Sequence, residues 1–298
     1  MRLRRTLVWV NGNDKSKLQA AIASNVDCIV LDLEDGVALP EKPEARRCAM
    51  EFLSEWDFKG KERVLRINPM DSDQVNLDYE VVEKGLPDAI RLPKCEDTGP
   101  ILRLDSYLGD LEKKKGLAPN TIEIILMIET PLGIMRVYDM ASCCERVTAV
   151  GVGMEDLTAS MGVMRHYELG APDLLYARQK MILEARAAGI QALDSGTLFN
   201  GDPEYMLQDS ILDRRHGFDG RSVGDLAHVD VVNKAFTPSD EQADWAKRII
   251  EAYARGVAEG RSDVYVDGKF VDPPVVSKAE AIQERLRLIE EKKRKGGR

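Results

Sequence analysis

Histidine is scarce in this chain of 298 residues: only His166, His216 and His228 occur. Histidine-rich metal chemistry is therefore disfavoured. A metal here has to be held by carboxylates, which points to a hard cation such as Mg²⁺. Cysteine is little better represented. Cys28, Cys48, Cys95, Cys143 and Cys144 are odd in number and lack metal-ligand spacing, so they read as reduced, mostly buried thiols of a cytoplasmic protein. No apolar run approaches the roughly 20 residues of a membrane helix. The apolar stretch after the basic start, Thr6–Val10, is too short for a signal-peptide core and reads as a first strand. Positive charge is also in deficit. Lys+Arg is 42 against 51 Asp+Glu, a net −9, and such a surface is repelled by phosphate backbones, which disfavours nucleic acid as a partner. No Walker A loop, Gly-x-Ser-x-Gly elbow or Gly-x-Gly-x-x-Gly turn is present.

What the chain does have is alternation. Short, nearly continuous apolar runs occur at Thr6–Val10, Cys28–Leu33, Arg63–Ile67, Ala89–Leu92, Ile122–Ile128, Val147–Val152, Ile190–Leu193 and, more weakly, Gly220–Val223. Runs of this kind suit parallel strands buried on both faces. Helical spacing separates them at Lys15–Asn25, Lys42–Trp56, Pro100–Lys115, Pro131–Cys143, Asp173–Ala188 and Pro203–His216, and Pro238–Glu259 reads as a longer helix. Eight strands alternating with helices predict a TIM (β/α)8 barrel, with a doubly wound open sheet as the alternative. The predicted division is a barrel over residues 1–259 and a C-terminal extension over 260–298. In that extension Val264–Phe270 predicts a strand pair turning at Asp267-Gly268, and Asp272-Pro273-Pro274 interrupts helix. Ser277 is placed to cap a helix to Lys292, with a frayed basic end after it.

Barrel chemistry sits at the C-terminal strand ends. The second strand runs into Leu31-Asp32-Leu33-Glu34-Asp35-Gly36, and alternation aims Asp32 and Glu34 to one side. The third ends Leu65-Arg66-Ile67-Asn68-Pro69, where a buried Arg66 has to be paired, either structurally or with a substrate carboxylate or thioester oxygen. The fourth ends Arg91-Leu92-Pro93-Lys94. Nothing near Lys94 argues for the lowered pKa of a Schiff-base lysine, and Arg91 reads as structural. The fifth ends at Glu129 and the sixth at Gly151-Val152-Gly153-Met154-Glu155-Asp156. Taken alone, each carboxylate reads equally as a loop or cap residue. Together, Glu129 and Asp156 leave positions for water and substrate around Mg²⁺, and Gly153 lets a substrate approach the backbone closely.

In this order along one chain, these stretches resemble the HpcH/HpaI aldolase and citrate lyase superfamily, in its citrate lyase β-subunit-like branch. Arg5–Gly12, Leu92-Pro93-Lys94, Ile128–Gly133, Leu175–Arg178, Ala185–Gly189 and Gly217–Arg221 extend the likeness, which covers about Arg5 to Ala281. The resemblance implies a TIM barrel whose C-terminal helical extension packs on a neighbouring subunit of a homotrimer or hexamer. It implies Mg²⁺ on Glu129 and Asp156, substrate on Arg66, Glu34 and Asp35 around the metal waters, and Asp272 supplied to a neighbour's site for proton transfer. Asp35 stands where the aldolase branch carries a histidine base, which favours the lyase branch.

The activity implied is Mg²⁺-dependent cleavage or formation of a 3-hydroxy-3-carboxyacyl thioester (citryl-, malyl- or citramalyl-CoA-like), with an acyl thioester and a 2-keto acid as the other partners. The thioester carrier is CoA or an acyl-carrier protein. The alternatives are a CoA-free 2-keto-acid aldolase, a malyl-type thioesterase and a non-catalytic lyase-complex subunit. Three places depart from the family pattern: Asn11 replaces the usual proline, Arg221–Leu226 lacks the usual Ile-His-Pro, and Leu193–Phe199 differs.

Overall fold

The computed structural model describes residues 2–195, 202–261 and 263–296. The chain divides into two compact units, Leu3–Phe236 and Thr237–Arg298. The division therefore falls ahead of the long helix that the sequence places with the barrel, not after it.

In the first unit eight parallel strands close in chain order. They are β1 (Thr6–Asn11), β2 (Cys28–Asp32), β3 (Glu62–Arg66), β4 (Ala89–Leu92), β5 (Glu123–Ile128), β6 (Val147–Val152), β7 (Gln191–Asp194) and β8 (Gly220–Val223). The ring shuts where Thr6, Leu7 and Val8 pair with Arg221, Ser222 and Val223. This closure settles the choice between barrel and open sheet. Leu7, Cys28, Val30, Val64, Ala89, Ile125, Ala149 and Leu193 pack as one interior cluster, with Trp9 against it. Beneath them Arg4 fills the N-terminal end and bonds Glu62, Thr148 and Gln191.

The helices around the ring are α1 (Lys15–Ala23), α2 (Lys42–Glu55), α3 (Val75–Gly85), α4 (Thr98–Lys115), α5 (Pro131–Met135), α6 (Val137–Ala141), α7 (Met154–Met161), α8 (Leu175–Ala187), α9 (Pro203–His216) and α10 (Val229–Phe236). Their ends follow local chemistry. Asp14 accepts the Lys17 N–H, Asp97 that of Gly99 and Thr130 that of Gly133, each the expected N-cap bond. The stretch read as one helix over Pro131–Cys143 breaks at Arg136 into α5 and α6. Helices α3, α7 and α10 are additional to the sequence reading. Two of them, α7 and α10, are only eight residues long, too short for a clear periodic signal.

In the second unit α11 (Asp240–Ala258) packs on α12 (Pro273–Gly296) around Ala246, Ile249, Val264, Val271, Val276 and Ala279. The strand pair β9 (Tyr265–Val266) and β10 (Lys269–Phe270) turns at Asp267-Gly268 as read from the sequence, with Arg248 holding Asp267 at 2.8 Å. The α12 start is a correction. Pro273 and Pro274 open the helix rather than interrupting it, because first-turn N–H groups need no intrahelical partner. Asp272 accepts the Val275 N–H at 3.1 Å, so Asp272 holds the capping position expected of Ser277, which lies inside the helix. The basic end also stays helical to Gly296 instead of fraying. No helix among the described residues is long and apolar enough to cross a membrane.

Candidate active site at the barrel mouth

Strand register lines up the first charges. Asp32 ending β2 pairs with Arg66 ending β3, and Arg66 pairs with Arg91 on β4. Arg66 Nε and Nη2 donate to the two Asp32 oxygens at 2.7 and 2.6 Å, a planar fork on a planar carboxylate. Its Nη1 lies 2.7 Å from Glu34 Oε2. The alternation argument thus holds, since Asp32 and Glu34 reach the same guanidinium. Asp32 also accepts the N–H groups of Glu34 and Gly36, so it fixes the turn that carries the acids. Gly36 is required there: a Cβ would meet Asp32 Oδ2 at 2.3 Å.

Lys42, inside α2, buttresses the same turn. Its ammonium donates to the Leu33 and Glu34 carbonyls at 2.6 and 2.9 Å and to Asn68 Oδ1 at 2.9 Å. Lys94 closes the cluster from β4, with Nζ 3.0 Å from Glu34 Oε1 and 3.3 Å from Asp35 Oδ2. Lys94 sits at φ +52°, the left-handed region that non-glycine residues seldom occupy. In this conformation its backbone N–H donates to Glu129 Oε2 at 2.9 Å.

Glu129 is 2 % exposed. Burial pushes its carboxyl up to about 7, and the like charges of Glu34 and Asp156 add to the rise. The Lys94 N–H and Arg66 oppose it. Gly153 borders this carboxylate so closely that a Cβ would lie 2.6 Å from Glu129 Cγ. Gly153 thus first makes room for Glu129. Asp156 is exposed and stands in the first turn of α7, whose N-terminus suits an acid. Glu129 and Asp156 line one cleft of about 380 Å³ together with Pro69, Asp71, Lys94, Glu96, Thr130 and Ser160.

The barrel thus brings Glu34, Asp35, Arg66, Glu129, Gly153 and Asp156 to one mouth, whereas Asp272 belongs to the second unit. Sequence reasoning passed over Asp71 and Glu96 because both follow strand ends in loops without periodicity. It left Lys94 without a partner because that partner is another strand's acid. The altered loop after β8 forms a capped turn in which Asp225 accepts the Ala227 N–H at 2.9 Å. Of Leu193–Phe199, residues 196–199 lie outside the described residues.

The donor set fits a hard divalent cation. Glu129 and Asp156 offer only carboxylate oxygens, and a cation there would offset the burial, and the like charges of Glu34 and Asp156, that hold the Glu129 carboxyl high. Among the described residues no three histidine, cysteine or acidic side chains are grouped as a metal cage. Two protein ligands leave the rest of an octahedral shell to water and substrate, as Mg²⁺ prefers.

The pattern for HpcH/HpaI aldolase/citrate lyase matches residues 5–225. The β subunit of citrate lyase from Haemophilus influenzae is 33% identical over 287 residues, covering 96% of this chain and 98% of that one. Human mitochondrial citramalyl-CoA lyase is 32% identical over 291 residues, covering 93% and 84%. A crystal structure of the Mycobacterium tuberculosis CitE protein, in complex with magnesium, acetoacetate and coenzyme A, is 26% identical. It superposes with a TM-score of 0.73 over 94% of this chain and 97% of that one. Sequence match and barrel agree: the chain belongs to the HpcH/HpaI aldolase/citrate lyase family, in its citrate lyase β-subunit-like branch.

Proposed function

We propose that this chain is a Mg²⁺-dependent carbon–carbon lyase acting on a 3-hydroxy-3-carboxyacyl thioester, with an acyl thioester and a 2-keto acid as its products or, in reverse, its substrates. The observation that carries this reading is the convergence of a buried Glu129 and an exposed Asp156 on one cleft beside the pinned guanidinium of Arg66. Glu129 and Asp156 hold the metal. A Mg²⁺ ion held there would supply Lewis acidity, lowering the pKa of the substrate hydroxyl. Lys94 orients Glu129 through its backbone N–H. Asp32 and Glu34 hold Arg66 in a fixed attitude, and its charge stabilises the negative charge that develops on the departing thioester enolate. Glu34 and Asp35, both held by Lys94, would face water on such a metal. Asp272 of a neighbouring subunit moves the proton to or from the enolate carbon, so the working form is a homotrimer or hexamer. The five free thiols support a reducing compartment, the cytoplasm.

The test incubates the purified chain with acetyl-CoA, Mg²⁺ and oxaloacetate, pyruvate or glyoxylate, with mass spectrometry of the thioesters formed. A condensed thioester is expected with metal only. Glu129→Gln and Asp156→Asn should each lower the rate more than the roughly 10–100-fold that outer-shell partners of metal ligands are worth. Turnover that survives both substitutions, or that ignores the metal, overturns the reading. Free acid instead of thioester identifies the thioesterase, and products formed without any thioester identify the CoA-free aldolase.

A further inference from the structure

Among the described residues, Arg4, Arg91, Arg178 and Arg221 are the arginines buried most completely. Three of them hold carboxylates: Arg4 lies 2.6 Å from Glu62, Arg178 2.9 Å from Asp194 and Arg221 2.7 Å from Asp209. Arg91 does not. It is 1% exposed, and its Nε and Nη1 are buried with no hydrogen-bond partner. A guanidinium has five donors and cannot shed its charge as a lysine can, so an unpaired one in a barrel interior is a costly group.

The surroundings of Arg91 are built for it. Its guanidinium lies over the Trp9 ring at 4.8 Å, and that of Arg66 lies over the same ring at 4.5 Å. Its Nη2 takes up the space that a Cβ on Gly151 would need, at 2.7 Å. Two residues along β6, Gly153 makes the same kind of room for Glu129. Arg91 therefore stands beside Arg66 in the strand register, within electrostatic reach of Glu129. Arg66 is already neutralised by Asp32 and Glu34, whereas Arg91 is not. What fits an unpaired guanidinium beside Arg66 in the barrel interior is a ligand carboxylate.

We propose that Arg91 is a specificity-determining residue that pairs with the second carboxylate of a dicarboxylic 2-keto acid and of its acyl thioester, so that the site selects such substrates over monocarboxylic ones. The proposal rests on the functional reading above and names the substrate class within it. No bond changes in this step. The keto acid's distal carboxylate becomes the partner that the buried Nε and Nη1 lack.

The test is calorimetric binding of freshly dissolved oxaloacetate and of pyruvate, each with Mg²⁺, to the wild-type chain, Arg91→Met and Arg91→Lys, with circular dichroism confirming the fold. Wild type should bind oxaloacetate at least about tenfold more tightly than pyruvate. Arg91→Met should weaken oxaloacetate about 30-fold or more, the scale for losing a buried charge partner, and leave pyruvate within about twofold. Arg91→Lys keeps the charge without the fork and should fall between, again at constant pyruvate affinity. If Arg91→Met does not fold, the lysine variant decides the matter by its oxaloacetate-to-pyruvate ratio. An equal affinity of wild type for both acids, or a variant that weakens both alike, overturns the proposal. Failure of wild type to bind either acid with Mg²⁺ overturns the functional reading, and this inference falls with it.

Discussion

The barrel carries two dense charge clusters, one at the mouth between β2 and β6 and one beside β7 and β8, and they are built on opposite principles. In the second, Arg178 lies 2.9 Å from Asp194 and 2.6 Å from Asp213, while Arg221 lies 2.7 Å from Asp209 and 2.8 Å from Asp213. Burial and neighbouring carboxylates push the Asp213 carboxyl well up, and the Asp194 carboxyl is held below the usual range by Arg178, Arg221 and a hydrogen bond from Asp213. Each of the three carboxylates meets at least one of the two guanidinia, and the cluster is complete. Arg178 also bonds the Gly170 carbonyl, so the cluster pins the loop after α7. The mouth cluster is incomplete. Burial holds the Glu129 carboxyl high, Asp156 faces solvent, and Arg91 Nε and Nη1 have no hydrogen-bond partner among the described residues. A buried ion cluster by itself marks architecture. Charge left unmatched toward a cleft marks a place for a ligand.

That contrast breaks first under removal of one cation. Arg178→Met should cost about 3–5 kcal/mol in urea unfolding, because it strands Asp194 and Asp213. Glu129→Gln should leave stability unchanged or raised while it abolishes metal-dependent turnover. The opposite pattern, a harmless Arg178→Met and an unstable Glu129→Gln, would reverse the assignment of the two clusters.

A smaller effect is expected from Gly153→Ala. Its Cβ would lie 2.6 Å from Glu129 Cγ, so about 1–3 kcal/mol of strain should appear together with roughly tenfold weaker Mg²⁺ binding by calorimetry. Full Mg²⁺ affinity in that variant would separate Gly153 from the site.

Glu129 of the mouth cluster and Asp194 of the other should also differ in the sign of their pH dependence, read as urea midpoints in the presence of EDTA. The Glu129 carboxyl sits at about 7, above its ordinary 4.5, so across that window the folded chain holds a proton that the unfolded chain has released. Stability therefore falls as pH rises through the window and levels off above about 7. Glu129→Gln should remove this part of the slope. The Asp194 carboxyl is depressed, so its contribution is present above 3.8 and is lost as pH falls through the folded value. The smallest effect is expected of Asp213→Asn, because burial already pushes that carboxyl toward its neutral form, and the exchange should cost less than about 1 kcal/mol. A cost as large as that of Arg178→Met would mean that Asp213 is ionised.

Much of this was legible in the amino-acid order. The strands came through because parallel barrel strands are buried on both faces and read as apolar runs, even the short Gly220–Val223. Asp35, Glu129 and Asp156 came through because acids that follow such runs must stand at one end of a parallel barrel. Short helices such as α7 did not, nor did the first turn of α12, whose prolines suggest a break until Asp272 is seen to cap it.

The sequence alone determined the periodicity, the strand-end acids and the scarcity of histidine, and with them a barrel at which a metal would have to sit on carboxylates. Tertiary structure alone decided which charges cancel. Arg66 and Arg91 look alike on the page, two arginines near the ends of adjacent strands, yet one is ion-paired with Asp32 and Glu34 while the Nε and Nη1 of the other, stacked on Trp9, have no hydrogen-bond partner among the described residues. Pairing depends on distances of a few ångströms across strands tens of residues apart. Local sequence does not encode such distances, and only closure of the barrel sets them.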